Sequence, residues 1–367
     1  MTHEDYMRYA LELAERGRGK VLPNPMVGCV VVKDGIIISE GWHEKVGEYH
    51  AERNALLRCP EDPKGADLYV TLEPCCHYGR TPPCTEIIIE KGIKRVFVAS
   101  MDPNPLVAGK GVEILREAGI SVATGILEAE ALKLNEEFFW FITHNTPFVA
   151  LKYAMSLDGK IACHTGDSKW ITGETARDCV QDLRRNYAGI MAGIGTVLAD
   201  DPMLNCRKYE GCNPVRIILD SALRIPEASQ IVKTACEIDT IVYCTEETFE
   251  REKAKVELLK NAGISVEAVA EKGGRPDISE VLENLGKRKI ASVLVEGGAS
   301  VNASLVENRL VQKIYTFVGN SIIGGHNAPS PVAGEGADTM ATALTGTIDE
   351  VKTVGKDVLI VSYPDRR

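Results

Sequence analysis

Residues 49–85 read YHAERNALLRCPEDPKGADLYVTLEPCCHYGRTPPCT. The stretch offers His50, Cys75 and Cys84 as zinc ligands, with Glu52 two residues beyond the first. A catalytic zinc takes three protein ligands and keeps a fourth position for water, whose pKa it lowers to about 7. Hydrolysis of an amidine then needs a carboxylate beside the metal that is not itself a ligand, to carry the water's proton to the leaving ammonia. Glu52 meets that description. Zinc deaminases of nucleobases carry H-x-E followed by P-C-x-x-C. Here eight residues separate Cys75 from Cys84 instead of two. Cys76 and His77 compete locally for a metal, and Cys75 is preferred because it follows Pro74 at a strand end. The rival reading is a structural zinc or no metal, in which Glu52 has no task.

The flanking pattern supports a catalytic site. ADLYVTL at 66–72 reads as a buried strand that Glu73-Pro74 ends. The stretch from Glu48 has helical spacing, with Ala51, Ala55 and Leu56 on one side. Pro82-Pro83 opens a second helix that runs to Gly92. His50 and Cys84 therefore fall in first helical turns, where free N–H groups favour thiolate and hydroxide.

Composition narrows the class. The chain has 367 residues, a net charge of −10 and no basic cluster, which argues against a nucleic-acid footprint but not against a small phosphorylated substrate. The opening MTHEDYMRYALELAERG is acidic and amphipathic, without the apolar core of a secretion signal, and no run is apolar enough to cross a membrane. Eleven cysteines at irregular spacing speak against a disulfide framework; most of those outside the metal site are expected to be buried free thiols in a reducing cytoplasm.

Taken in order, 2–16 reads as a helix capped by Thr2, and MVGCVVV with IIISEGWH as a hairpin around Lys33-Asp34-Gly35. His43 ends that hairpin, placed for substrate contact. After the metal stretch come KRVFVAS (strand), VEILREAG (helix), ISVATGI (strand) and EAEALKLNEEFFWFI (one helix). This order fits a mixed sheet between helical layers. Asp102 and Asn104 follow a strand end on the same edge as Pro74-Cys75, where ligands gather. THNTP at 143–147 reads as a boundary between domains 1–145 and 146–367. Beyond it the strands PFVALKYAMS, GIMAGIG, VRIILD, TIVYCT, ISVEAVA and ASVLVEGG, some separated by helices, predict a largely parallel sheet. The tail hairpin around Gly355-Lys356-Asp357 supplies an antiparallel edge. Two glycine turns, Gly193-Ile194-Gly195-Thr196 and Glu296-Gly297-Gly298-Ala299-Ser300, follow strands. Such turns let backbone approach a phosphate, though each is equally a tight connection.

The whole chain resembles the bifunctional riboflavin-biosynthesis deaminase–reductases. LPNPMVGCVVV, HAERNAL, TLEPCCHYGRTPPC and DPNPLVAGKG carry the resemblance in the first half, and LKYAMSLDGKIA, GDSKWITG, GIGTVLADDPMLNCR and VEGGAS in the second. The C-x8-C spacing, irregular for cytidine deaminases, is usual in this family; Cys76 departs mildly from a position that is often Ser. The resemblance implies an α/β chain: a cytidine-deaminase-like three-layer domain, then a dihydrofolate-reductase-like domain. It implies zinc-dependent deamination of 2,5-diamino-6-(5-phosphoribosylamino)pyrimidin-4(3H)-one, followed by NADPH-dependent reduction of the product's ribosyl group to ribityl. It also implies a homo-oligomer. By match of motif, zinc falls on His50, Cys75 and Cys84, and the proton shuttle on Glu52. Asn24, His43, Arg80, Asp102 and Asn104 would line the deaminase pocket. Ala154, Trp170, Thr196, Asp200, Ser221, Gly298, Ala299 and Ser300 match the NADPH site. Ser168, Arg184, Leu204, Arg207 and Glu296 match phosphosugar positions, and Lys152 a catalytic position near the reacting sugar. Arg184 and Arg207 suit a phosphate dianion, Trp170 suits either the cofactor or the core, and Ser221 with Arg224 are candidates for the 2′-phosphate.

Overall fold

In the computed structural model, which describes residues 1–365, the chain divides into two compact units, Met1–Asn145 and Thr146–Arg367. The first unit contains α1 (His3–Glu15), β1 (Gly28–Lys33), β2 (Ile36–Trp42), α2 (Ala51–Leu57), β3 (Asp67–Leu72), α3 (Cys84–Glu90), β4 (Arg95–Ser100), α4 (Lys110–Glu117), β5 (Ser121–Thr124), α5 (Glu128–Leu134) and α6 (Glu136–His144). Its sheet runs β2-β1-β3-β4-β5, antiparallel through β3 and parallel beyond. Period-two alternation splits β1 between two cores. Cys29 and Val31 pack with Ala55 of α2, Ile88 of α3 and Leu115 of α4; Val30 and Val32 pack with Met7 and Leu13 of α1 and Ala131 of α5. Helices thus cover both faces, giving the three layers expected.

Two boundaries differ from expectation. The helix after Glu48 starts only at Ala51, because His50 is an extended N-cap residue (φ −74°, ψ 167°) and 45–48 form a turn. His50 therefore stands just before the first turn rather than inside it. The stretch read as one helix from 128 breaks at Asn135, whose side-chain amide pairs with both backbone groups of Met26 at 2.8 Å. That contact bridges 109 residues and satisfies the chain better than another helical turn.

The second unit contains β6 (Phe148–Ser156), α7 (Glu174–Asn186), β7 (Gly189–Gly193), α8 (Ile194–Asp200), β8 (Val215–Leu219), α9 (Gln230–Lys233), β9 (Thr240–Thr245), α10 (Glu246–Arg251), α11 (Lys253–Asn261), β10 (Ile264–Val269), β11 (Glu271–Lys272), β12 (Arg275–Pro276), α12 (Ile278–Lys287), β13 (Ser292–Val295), α13 (Ala299–Glu307), β14 (Lys313–Gly319), β15 (Gly346–Val354) and β16 (Asp357–Pro364). The main sheet runs β10-β9-β8-β7-β13-β6-β14-β16-β15. It is parallel from β10 to β14 and ends in the antiparallel tail hairpin. Helices α12 and α13 cover one face, and α8, α9 and α11 the other. Between β9 and β10 lie two helices, α10 and α11, separated at Glu252. Strand β14 and the hairpin β11–β12 were not anticipated.

All eleven cysteines are free. Outside the metal site, only Cys29, Cys206 and Cys244 are buried, so the expectation that most would be is corrected. No helix among the described residues is long and apolar enough to cross a membrane.

Candidate active sites

In the first unit the chemistry gathers at one sheet edge. His50 caps α2, Cys75 lies just past β3, and Cys84 opens α3. His50 Nδ1 stands 3.4 Å from Cys75 Sγ and 3.6 Å from Cys84 Sγ, and all three donors lie within 4.8 Å of one another. A tetrahedral zinc, bonded at about 2.0 Å to nitrogen and 2.3 Å to sulfur, separates two such donors by about 3.5 Å. The donor set therefore fits that ion. The Cys84 side chain, and then His50, hydrogen-bond to the Cys75 sulfur and bring its thiol down to about 4, the thiolate form a metal requires. Cys76 is turned away, with its sulfur toward the Leu106 carbonyl, and His77 stays outside the cluster.

Glu52 is buried in α2, two residues beyond the N-cap His50. Burial, and then the Cys75 charge, pushes its carboxyl up to about 7. It lines a cavity of about 410 Å³ together with Asn24, His43, His50, Cys75, Arg80, Asp102 and Asn104. Seven of the predicted deaminase residues thus share one cavity with Glu52, while Cys84 is buried outside its lining. His43 is held by both ring nitrogens: Nδ1–H donates to the Tyr49 carbonyl at 3.1 Å, and Nε2 accepts from the Asn24 amide at 3.2 Å. That fixes its tautomer, and burial keeps it neutral by lowering its pKa. Burial also pushes the Asp102 carboxyl up to about 6.

One residue of this site escaped the sequence reading. Glu73 is buried and accepts the backbone N–H groups of Asp102 (3.3 Å), Gly109 (3.0 Å) and Val112 (3.2 Å). It thereby suspends the loop that carries Asp102 and Asn104. The first turn of α4, which follows that loop, comes so close that a Cβ on Gly111 would lie 2.1 Å from the Pro74 carbonyl oxygen. Acidic residues at strand ends are too common for composition alone to have flagged Glu73.

The second unit builds its site at the C-terminal edge of β7, β8 and β13, the edge where open α/β sheets take ligands. Both glycine turns reach one cavity of about 500 Å³. Its lining includes Ser168, Thr196, Asp200, Ser221, Gly298, Ala299 and Ser300. Ala154 and Trp170 stand outside that lining. Trp170 is 69% exposed beneath the Arg177 guanidinium, so it is not core. Asp200 is paired with Lys169 at 3.1 Å.

Beside this cavity lies a buried charge cluster. Glu296, following β13, accepts from Arg184 Nε (2.6 Å) and Nη2 (3.2 Å) and from Lys152 Nζ (3.3 Å). Arg184 Nη1 donates to the Asn205 carbonyl at 2.9 Å. Sequence reading gave Arg184 and Arg207 the same task; in the structure Arg184 is closed on a carboxylate, whereas Arg207 is exposed, tethered by its backbone N–H to Gln181. Leu204 is buried, with a left-handed backbone (φ 47°), between these elements.

The geometry defines a zinc-dependent deaminase unit followed by a separate α/β unit whose two glycine turns open on a cavity of about 500 Å³. Residues 1–100 match the cytidine and deoxycytidylate deaminase zinc-binding region, and 147–360 match the RibD C-terminal domain. The riboflavin biosynthesis protein RibD of Actinobacillus pleuropneumoniae is 47% identical over 98% of this chain and 95% of its own length. An Acinetobacter baumannii RibD structure superposes with a TM-score of 0.89 at 37% identity, covering 99% of both chains. A Thermotoga maritima structure, a diaminohydroxyphosphoribosylaminopyrimidine deaminase/5-amino-6-(5-phosphoribosylamino)uracil reductase, gives 0.87 at 40% identity over 99% and 98%. The chain belongs to the RibD family, the bifunctional zinc-binding deaminases and NADPH-dependent reductases of riboflavin biosynthesis.

Proposed function

We propose that the first unit hydrolyses the 2-amino group of 2,5-diamino-6-(5-phosphoribosylamino)pyrimidin-4(3H)-one, and that the second reduces the ribosyl group of the resulting uracil derivative to ribityl with NADPH. The observation that carries the reading is the His50, Cys75, Cys84 donor set beside a buried Glu52 outside that set, in a cavity that Asn24, His43, Asp102 and Asn104 also line. Bound zinc supplies Lewis acidity toward a water in that cavity. Glu52 takes the two protons of the water in turn and passes one to the ring nitrogen and one to the departing amino group, which leaves as ammonia; its carboxyl, near 7, suits both directions at neutral pH. Asn24 and His43 position the base, and Asp102, Asn104 and Arg80 take the ribose phosphate arm.

In the second unit the two glycine turns hold the cofactor diphosphate, with Thr196, Asp200, Ser221, Gly298, Ala299 and Ser300 along it and Ala154 and Trp170 toward the nicotinamide. NADPH supplies the hydride. Lys152, oriented by its hydrogen bond to Glu296 at 3.3 Å, donates to the opening sugar. Arg207 takes the substrate phosphate with Ser168 and Leu204 nearby, and Arg184 orders Glu296. The substrates are small phosphorylated pyrimidines, and the enzyme works in the cytoplasm as a homo-oligomer. Support for assembly comes from β15, an edge strand whose Ile348 and Val351 are each 61% exposed; sedimentation at several concentrations checks it. The deciding assay supplies the diaminopyrimidine phosphate and NADPH, and follows ammonia release and NADPH absorbance together. Ammonia without NADPH loss would leave the second unit silent; neither signal would sink the proposal.

A further inference from the structure

The cavity of the second unit carries cationic side chains in addition to its two glycine turns. Its lining includes two arginines from separate elements. Arg224 follows β8, and Arg275 lies on β12, which packs beside β9. Neither forms an ion pair with a carboxylate among the described residues. Among the described residues, Arg275 Nη1 makes two long contacts, to the Ser300 carbonyl at 3.3 Å and the Ser304 hydroxyl at 3.4 Å. Its hairpin is a two-residue turn, Gly273-Gly274, with both φ angles positive, and Lys272 beside it is tied to Asn308 at 3.1 Å. The guanidinium is therefore presented on a fixed element rather than on a long loop. The hydroxyls of Ser221, Ser300 and Ser304 share the same lining. The lining's one acid, Asp200, is already neutralised by Lys169.

Sheet order decides which part of a dinucleotide meets these groups. The Lys152–Glu296–Arg184 cluster marks the reducing end, at β6 and β13. The glycine turns follow β7 and β13, and Ser221 with Arg224 follows β8, one strand further from β6. A cofactor with its nicotinamide at the cluster and its diphosphate at the turns lays its adenosine ribose along the β8 side. NADPH differs from NADH only by a phosphate on that ribose, and a guanidinium pair is the donor geometry such a dianion favours.

We infer that Arg275, together with Arg224, clamps the 2′-phosphate of NADPH and thereby sets the preference for NADPH over NADH. The inference rests on the proposed placement of the cofactor in this cavity. The test is calorimetric titration of the full-length protein with NADPH, NADH, adenosine 2′,5′-bisphosphate and 5′-AMP. Arg275→Gln weakens NADPH and the bisphosphate by about tenfold or more, the value of a charge-assisted hydrogen bond, and leaves NADH and 5′-AMP within about twofold. Arg275→Lys, which keeps the charge without the fork, falls between. Equal weakening of NADPH and NADH, or no weakening of either, overturns the clamp. Ala299→Trp, which fills the cavity, separates the two claims. If all four ligands still bind that variant, the placement itself is wrong and the clamp falls with it. If it abolishes all binding while Arg275→Gln is neutral, the placement stands and the clamp alone is overturned.

Discussion

Replacing Glu296 by glutamine keeps the shape of a buried side chain and removes the charge that two cations share. The Glu296 side chain is 8% exposed, and those of Arg184 and Lys152 are 12% and 15% exposed, so water screens little of the loss. Stripping one partner from a buried ion pair costs about 3–5 kcal/mol. A second route gives a similar figure. Burial alone would raise the Glu296 carboxyl, yet the Arg184 charge and then the Lys152 charge bring it from its ordinary 4.5 down to about 2. A carboxyl held that low favours the folded chain by about 3 kcal/mol at neutral pH. Because the folded value lies below the unfolded one, this stabilisation is complete above about 4.5 and fades as pH falls toward 2. Glu296→Gln should therefore destabilise the second unit by about 3 kcal/mol at pH 7, and by less than half that at pH 3. Urea unfolding of the full chain, followed by hydrogen exchange in peptides from β6 and β13, reads the second unit alone. A deficit under about 1 kcal/mol at pH 7, or one that is the same at pH 3, would refute the reasoning.

Glu52→Gln should lower deamination by about a hundredfold or more while bound zinc, measured on the purified protein, stays unchanged; loss of metal would make Glu52 a ligand instead. Chelation should stop ammonia release and spare reduction of added deaminated intermediate, as two separate absorbance assays would register. Gly111→Ala forces a Cβ against the Pro74 carbonyl, 2.1 Å away, and should cost about 1–3 kcal/mol by overpacking. Its functional signature is a raised KM for deamination with reduction untouched, because the Asp102–Asn104 loop shifts. Lys152→Ala should depress reductase turnover and leave deamination alone; normal turnover would remove Lys152 from the mechanism.

What could be read from the sequence was local. The metal ligands announce themselves because thiolate and imidazole have few other reasons to fall at a strand end and at helix starts in that order. Strand and helix periods located most elements of both units. Contacts that close over long separations were hidden. Arg184 meets Glu296 across 112 residues, and no local pattern says that one arginine binds a carboxylate while Arg207 stays open. Glu73 holds a loop through three backbone amides, an arrangement that exists only after β3 and β4 pair. Asn135 interrupts a helix to serve Met26, where helical propensity alone predicts continuity. The hairpin bearing Arg275 has strands of two residues each, too short for any period to register.

The two units set a buried glutamate to opposite uses, and the neighbours decide which. Glu52 sits on a helix beside sulfur ligands, with no arginine or lysine paired to it among the described residues, and its carboxyl rises to about 7. A group poised there can take a proton and give it back. Glu296 sits past a strand end between Arg184 and Lys152 and falls to about 2. Its two cationic neighbours bias it toward the carboxylate, the opposite direction from Glu52. Its effect is electrostatic: it accepts hydrogen bonds from both Arg184 and Lys152, and so orients the Lys152 side chain. A hydrolysis must move protons at the reacting centre, whereas a hydride transfer needs the acceptor oriented and polarised. The paired environments meet those separate demands with the same side chain.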